Sequence, residues 1–300
     1  MVSEFELAPE AAGERLDVLL AQRLGSRSRA QRLIVAGRVL VDGATVRKNH
    51  RVAGGDHVTV DDTPQDVEEL GADAPVAQFA VALEDEHLIV VDKPAGVVVH
   101  PARGHREGTL AQALSGRAGG GEEAWRAGIV HRLDRNTSGL LVVAKNDDVH
   151  RALKAQLAAR EITREYLALV EGRPSARSGT IEAPIGRDRR QRMLMSVDSD
   201  ANTAKDATTH FEIERPLAQA TLLRVRLQTG RTHQIRVHMR AIGLPVCGDR
   251  EYGRADLYGL RRQFLHAARL AFSHPVTGEP VDVSSPLPPD LQAALEQAGR

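Results

Sequence analysis

The chain has 300 residues, 42% of them hydrophobic, and its 40 acidic and 40 basic residues give a formal net charge of zero. That length exceeds one small domain and suits a core of roughly 200–250 residues plus a module, while no apolar run approaches the roughly 18 residues of a membrane helix. The single cysteine, Cys247, excludes a disulfide framework and a Cys-rich zinc site, and the acidic start does not read as a secretory signal, so a cytoplasmic protein is expected.

Charge is unevenly distributed. From Gly13 to Val60, nine basic residues outnumber four acidic ones, and the next stretch, Asp61 to Pro75, has six acids and no base. A basic block followed by an acidic tract predicts a small nucleic-acid-facing module over 13–60 and a solvated linker over 61–79, ahead of a main domain over 80–300. Within the module, Leu16 to Leu24 reads as a short helix. Ser26 and Ser28 are candidate N-caps for a second helix that carries Ala30 and Leu33-Ile34 and ends at Gly37. Val39-Leu40-Val41 before Asp42-Gly43 reads as a strand entering a tight hairpin, and Val58-Thr59-Val60 as the closing strand.

In the main domain, Leu88-Ile-Val-Val91 and Val97-Val-Val99 are predicted as strands around a Pro-Gly turn. The glycines of 116–121 lack the Gly-Lys-Ser/Thr ending of a phosphate loop and read as a flexible connection. Asp134 lies between Arg132 and Arg135 in a polar turn, with the strand-like Leu140 to Ala144 behind it. Positive charge on both sides favours a carboxylate over an acid. Such an Asp suits a nucleophile or base, and equally a salt-bridged loop residue. Asp147-Asp148 is expected to cap a helix running to Arg160. Arg164 to Glu171 alternates as a strand, with Tyr166, Ala168 and Val170 on one face. The basic run Gly186 to Arg192 is predicted as a hairpin tip, either solvated or touching RNA. Leu223, Val225 and Leu227 mark a strand. After Thr229-Gly230-Arg231, Thr232 is expected to cap a helix through Ile235, Met239 and Ile242 that ends at Gly243. A strand feeding a helix through a glycine turn gathers donors and positive charge at one sheet edge. Gly248-Asp249-x-x-Tyr252-Gly253 reads as a loop beside it. Val281-Asp-Val283 is read as a strand, and a last helix starts at Asp290.

Several chemistries are excluded by missing patterns. There is no His-Glu-x-x-His and no deaminase-type His-x-Glu with Pro-Cys-x-x-Cys, despite twelve histidines. Gly-x-Ser-x-Gly and a dinucleotide fingerprint are also absent, and no second acid near Asp134 suggests glycosidase work. The remaining set (one carboxylate, one phenol, several arginines) predicts a site without metal or cofactor.

His131-Arg-Leu-Asp-Arg-Asn-Thr-Ser-Gly-Leu140 resembles the signature of the RluA-type pseudouridine synthases. Glu84 to Gly96, Arg164-Glu-Tyr166, and Thr229 to His238 with Gly248-Asp249 agree with it in order. The helix, basic helix, Val-x-Val-Asp-Gly, Gly-Gly-Asp-x-Val order of the N-terminal part resembles the S4 RNA-binding module and points to the RluD-like members. Asn136 departs from the acid often found there. The resemblance implies an α+β pseudouridine-synthase fold, a large mixed and mostly antiparallel sheet with flanking helices, beside a small S4 α/β module. It implies an isomerase of RNA uridines, most simply in 23S ribosomal RNA or the assembling large subunit. A transfer-RNA-directed synthase and a non-catalytic RNA-binding or assembly factor are the alternatives. It makes Asp134 the catalytic carboxylate, Tyr166 the stacking residue and candidate base, and Arg236, with Arg231 as fallback, the arginine paired with the carboxylate. Arg132 would fill the space left by the flipped base, Arg27, Arg29 and Arg32 would face phosphates, and Arg231 and His233 would contact RNA. No cofactor, no membrane and a monomer are expected.

Overall fold

The computed structural model describes residues 2–24, 30, 33–47, 49–63, 77–101, 107–120, 127–199 and 202–300, which fall into two compact units, Met1–Ala74 and Pro75–Arg300. Ser26 and Ser28, the basic positions Arg27, Arg29 and Arg32, and the acidic tract from residue 64 to 76 lie outside the described residues.

In the first unit, β1 (Val2–Glu6), β2 (Val39–Val41), β3 (Ala44–Thr45) and β4 (His57–Asp61) form a sheet of order β1-β4-β2-β3. Asp42 and Gly43, both at positive φ, form the tight turn expected between β2 and β3. Leu16 and Leu20 of α1 (Leu16–Leu24) join Ile34, Val39, Val58 and Val60 in one apolar cluster. Residues 33–35 are helical and stop at Gly37, whose φ of +70° lets the Arg38 N–H return to the Leu33 carbonyl at 2.9 Å.

The second unit is built on a nine-stranded sheet. Its strands are β5 (Ala80–Glu84), β6 (Leu88–Lys93), β7 (Ser138–Ala144), β8 (Thr163–Glu171), β9 (Ser178–Glu182), β12 (Thr208–Pro216), β13 (Ala220–Leu227), β14 (Leu265–Ser273) and β15 (Pro280–Ser284). The order is β5-β6-β7-β14-β8-β13-β12-β9, with β15 on β14. All pairings are antiparallel except β7 with β14. A separate hairpin joins β10 (Gly186–Arg187) to β11 (Met195–Ser196). The middle of the sheet is apolar on both faces. Tyr166, Val225, Ile235 and Leu291 belong to one cluster, and Leu140, Val142, Leu153 and Leu270 to the other. This explains why β7 is a continuous apolar run, buried at every residue.

Four local expectations are corrected. Val97–Val99 is not a strand: the Val98 and Val99 carbonyls accept the Leu110 and Ala111 N–H groups that open α2 (Leu110–Ala113), leaving no ladder to join. The helix α3 (Asp147–Ala159) is capped by Asn146, which accepts the Val149 N–H at 2.9 Å, rather than by Asp147 or Asp148. Those two carboxylates occupy its first turn, favoured by the helix dipole. The helix α4 (Gln234–Ala241) begins after His233, which sits at φ +57° with no side-chain cap. Instead of Thr232, the Gln234 carboxamide oxygen closes the turn, accepting from Thr229 Oγ1 and the Arg231 N–H. Gly120 is not part of a slack connection, because a Cβ there would stand 2.5 Å from the Asn146 carbonyl oxygen. The chain ends with α5 (Pro289–Ala298).

The one parallel pairing is sterically demanding. Gly139 faces Ala267 at φ +110°, and a Cβ would meet the Ala267 carbonyl oxygen at 2.2 Å. Gly139→Ala is therefore expected to cost about 3 kcal/mol or more in urea unfolding. Gly116→Ala, at φ +80° with open space around it, should cost only about 1 kcal/mol. Equal costs would show that the close approach is not what requires glycine at 139.

Candidate active site

Asp134 lies in the loop that leads into β7, at the centre of the sheet. The loop backbone is held carbonyl by carbonyl. The Thr137 N–H donates to the Asp134 carbonyl at 3.0 Å, and Arg262 Nη1 to the Asn136 carbonyl at 3.0 Å. Between them, the Arg135 carbonyl accepts the Gly96 N–H at 2.9 Å and Lys93 Nζ at 3.1 Å. Lys93 comes from the end of β6, is fully buried, and spends its other two donors on the Pro94 and Val97 carbonyls. Three consecutive peptide units are thus pinned, so the Asp134 side chain leaves a backbone with little freedom.

α4 brings an arginine to Asp134. Arg236 Nη1 donates to Asp134 Oδ2 at 3.3 Å. Its Nε and Nη2 grip Asp249 side-on at 2.7 and 2.8 Å, and Nη2 also reaches Glu251 Oε2 at 2.6 Å. Asp249 is fully buried and also accepts the Glu251 and Tyr252 N–H groups. Burial opposes the Arg236 charge, but the bonds and charge of Asp249, then Asp134 and Glu251, outweigh it and raise the pKa. The buried Asp249 fixes the guanidinium plane, and the third donor edge is left for Asp134, whose side chain is 16% exposed.

Tyr166 projects from β8 between Val225 and Ala267 on the neighbouring strands. It is 4% exposed, and burial raises its pKa, with Arg164 opposing and Asp134 adding to the rise. Its phenol is therefore neutral at pH 7, and its ring belongs to the main core cluster. His131 is a structural neighbour: Nε2 accepts the Val142 N–H at 3.2 Å, and burial, with Arg164, lowers its pKa to about 3.

Of the other expected contact residues, Arg132 is exposed on the Asp134 loop. Arg231 turns away, its Nε donating to the Asp206 carbonyl at 2.9 Å, so Arg236 rather than Arg231 carries the Asp134 contact. His233 Nδ1 shares a 2.9 Å hydrogen bond with the Tyr252 hydroxyl and lies 3.8 Å from Glu251. Burial lowers its pKa, with the Asp134 charge opposing. Sequence reasoning missed Lys93, Asp249 and Glu251 as parts of the site. The available signal was a lone lysine ending an apolar strand, and two carboxylates in the loop that follows an arginine-rich helix.

Lys93 gives the site a measurable pH signature. Burial lowers its pKa from the ordinary 10.5 to about 7, with Asp134 opposing and Arg262 reinforcing. The folded state thus binds this proton less readily than the unfolded one. Stability rises with pH from about 7 towards 10.5 and is lost as pH falls through 7. Urea unfolding between pH 7 and 9 should show a slope of about 1 kcal/mol per pH unit that is missing in Lys93→Met. An unchanged slope in the variant would assign the effect elsewhere.

Comparison with known proteins places this geometry. Residues 87–241 match the RNA pseudouridylate synthase family, and residues 14–58 match the S4 domain. A Bacillus subtilis protein described as an uncharacterized RNA pseudouridine synthase is 44% identical over 98% of this chain and 97% of its own length. The ribosomal large subunit pseudouridine synthase D of Xanthomonas campestris is 43% identical over 95% of this chain and 89% of that protein. Among solved structures, human RNA pseudouridylate synthase domain containing 1 superposes with a TM-score of 0.57 at 29% identity, covering 73% of this chain and 88% of that one. The chain therefore belongs to the RNA pseudouridylate synthase family and is an RNA pseudouridine synthase carrying an S4 domain.

Proposed function

We propose that the protein isomerises specific uridines of 23S ribosomal RNA, with Asp134 as the catalytic carboxylate, Arg236 as its partner and Tyr166 as the stacking residue. The observation that carries the site assignment is the Arg236–Asp134 pair at 3.3 Å. The reaction breaks C1′–N1, turns the uracil and joins C1′ to C5. The C5 hydrogen leaves as a proton and N1 gains one. An Asp134 carboxylate can attack C1′, or remove the C2′ proton to give a glycal, and Arg236 holds it oriented in either route. Tyr166 stacks on the flipped base; its phenol, kept neutral by burial, holds its own proton, so the C5 proton leaves to another base or to solvent. Stacking of about 1–3 kcal/mol offsets part of the few kcal/mol that flipping costs. Arg132 fills the vacated stack, while Arg231 and His233, with Arg27, Arg29 and Arg32 of the S4 part, meet the RNA. The isomerisation changes no oxidation state, so these groups suffice without a cofactor. The protein works as a monomer in the cytoplasm, where its substrate is found.

The relative named for the large ribosomal subunit supports the choice of ribosomal RNA. Tritium release from 5-labelled uridine tests it: 23S transcripts or precursor subunits should release tritium, and transfer RNA should not. Release from transfer RNA alone would overturn the ribosomal assignment.

A further inference from the structure

The basic hairpin is the one sequence motif that this site does not account for. Gly186 pairs with Ser196 and Arg187 with Met195. At the turn, the Asp188 carboxylate accepts the Arg190 and Gln191 N–H groups at 2.8 Å each, so the acid nearest the tip is occupied by backbone donors. The guanidinium of Arg187 folds back on the Arg192 and Met193 carbonyls, and Met193 is 85% exposed. Arg190 and Arg192 are exposed at the same end. A cationic tip with its nearest carboxylate internally satisfied suits a phosphate backbone, which arginine recognises through its planar fork of donors.

The base of the hairpin is seated differently. Leu194 and Met195 pack against a small cluster of Ile185, Ala207, Val237 and Tyr252, separate from the main core. The Met195 N–H donates to the Tyr252 hydroxyl at 2.9 Å, and the same hydroxyl bonds His233 Nδ1 at 2.9 Å. The ring of Tyr252 lies 4.8 Å from the Arg236 guanidinium carbon, and Val237 is the next residue of α4. One side chain thus stands between the hairpin and the arginine that reaches Asp134. Two strands of two residues each make few hydrogen bonds of their own, so contacts from outside hold the hairpin: the Tyr252 hydroxyl accepts the Met195 N–H, Thr203 Oγ1 the Arg187 N–H, and the Ser199 carbonyl Arg189 Nε.

We propose that the 186–196 hairpin grips the RNA backbone and that the Tyr252 hydroxyl transmits its seating to Arg236, making Tyr252 a positioning residue that couples grip to turnover. This rests on the assignment of Asp134 and Arg236 above. RNA held at the tip steadies the hairpin against Tyr252, and the ring in turn steadies the guanidinium plane that orients Asp134.

The test is steady-state kinetics on 23S transcript with Arg190→Gln/Arg192→Gln, with Tyr252→Phe, and with all three changes together. The tip variant should raise KM about tenfold and reduce the slope of log KM against log salt by about 1.5–2. At saturating RNA its kcat should fall about fivefold, the sign that grip reaches the chemistry. Tyr252→Phe keeps the ring and loses the hydroxyl, so its kcat should fall about fivefold while KM changes little. In that background the tip substitutions should lower kcat no further. An unchanged KM in the tip variant overturns the grip. A KM effect with unchanged kcat, or kcat losses that multiply in the triple variant, overturns the coupling. Should Tyr252→Phe fail to fold, the tip variant alone still decides, since it alters only exposed side chains. Failure of the site assignment shows separately, as turnover by Asp134→Asn.

Discussion

Asp134→Asn should bind 23S transcript within about twofold of wild type and form pseudouridine at least ~10³-fold more slowly. The carboxamide keeps the shape of the side chain and one acceptor for Arg236, so the loop backbone, held through its own carbonyls, should stay in place. What is lost is the charge that attacks C1′ or takes the C2′ proton. Tritium release under single-turnover conditions measures the chemistry directly, and filter binding measures the affinity. Residual turnover within tenfold of wild type would move the catalytic role to another group.

Arg236→Met should be the most damaging substitution to the fold, with a loss of about 3–5 kcal/mol in urea unfolding. It leaves Asp249 fully buried without its guanidinium, and leaves Asp134 and Glu251 with no charge partner from α4. Arg236→Lys should fold far better yet lose ~10²-fold in kcat. One ammonium cannot hold Asp249 through two parallel bonds and still present a donor to Asp134. The double variant Arg236→Met/Asp249→Leu should recover much of the stability and none of the activity. Activity in that double variant would show that Asp134 does not need its arginine.

Much of this arrangement is legible in the sequence. Alternating Leu, Val and Arg in β13, the tyrosine in β8 and the Asp-Gly turn in the S4 part each encode their local geometry within a few residues. Asp134, Tyr166 and Arg236 can be proposed from sequence because their surrounding motifs are long, and the structure brings Arg236 to Asp134. The features that stayed hidden depend on which partner a group finds after folding. Thr232 and Asp147 are good capping residues, but the Gln234 carboxamide and Asn146 were better placed. Val97–Val99 has strand composition, yet its carbonyls are taken by the start of α2. The flanking Arg132 and Arg135 suggest the charge partner of Asp134, whereas Arg236, 102 residues further along the chain, makes a hydrogen bond to its carboxylate. Nothing in the local sequence says that the Lys93 ammonium will end beneath a loop 42 residues later.

The Asp134–Arg236 contact joins residues 102 apart, and the carboxylate that orients Arg236 lies another 13 residues on. Contacts this distant raise the contact order, and a higher contact order goes with slower folding. During synthesis, the Asp134 loop emerges before α4 and Asp249, so the carboxylate is made before the groups that orient it. Ordering of the guanidinium by Asp249 then marks completion of the site. A pulse-labelling hydrogen-exchange experiment would register it as late protection of the 249–252 amides relative to those of β7.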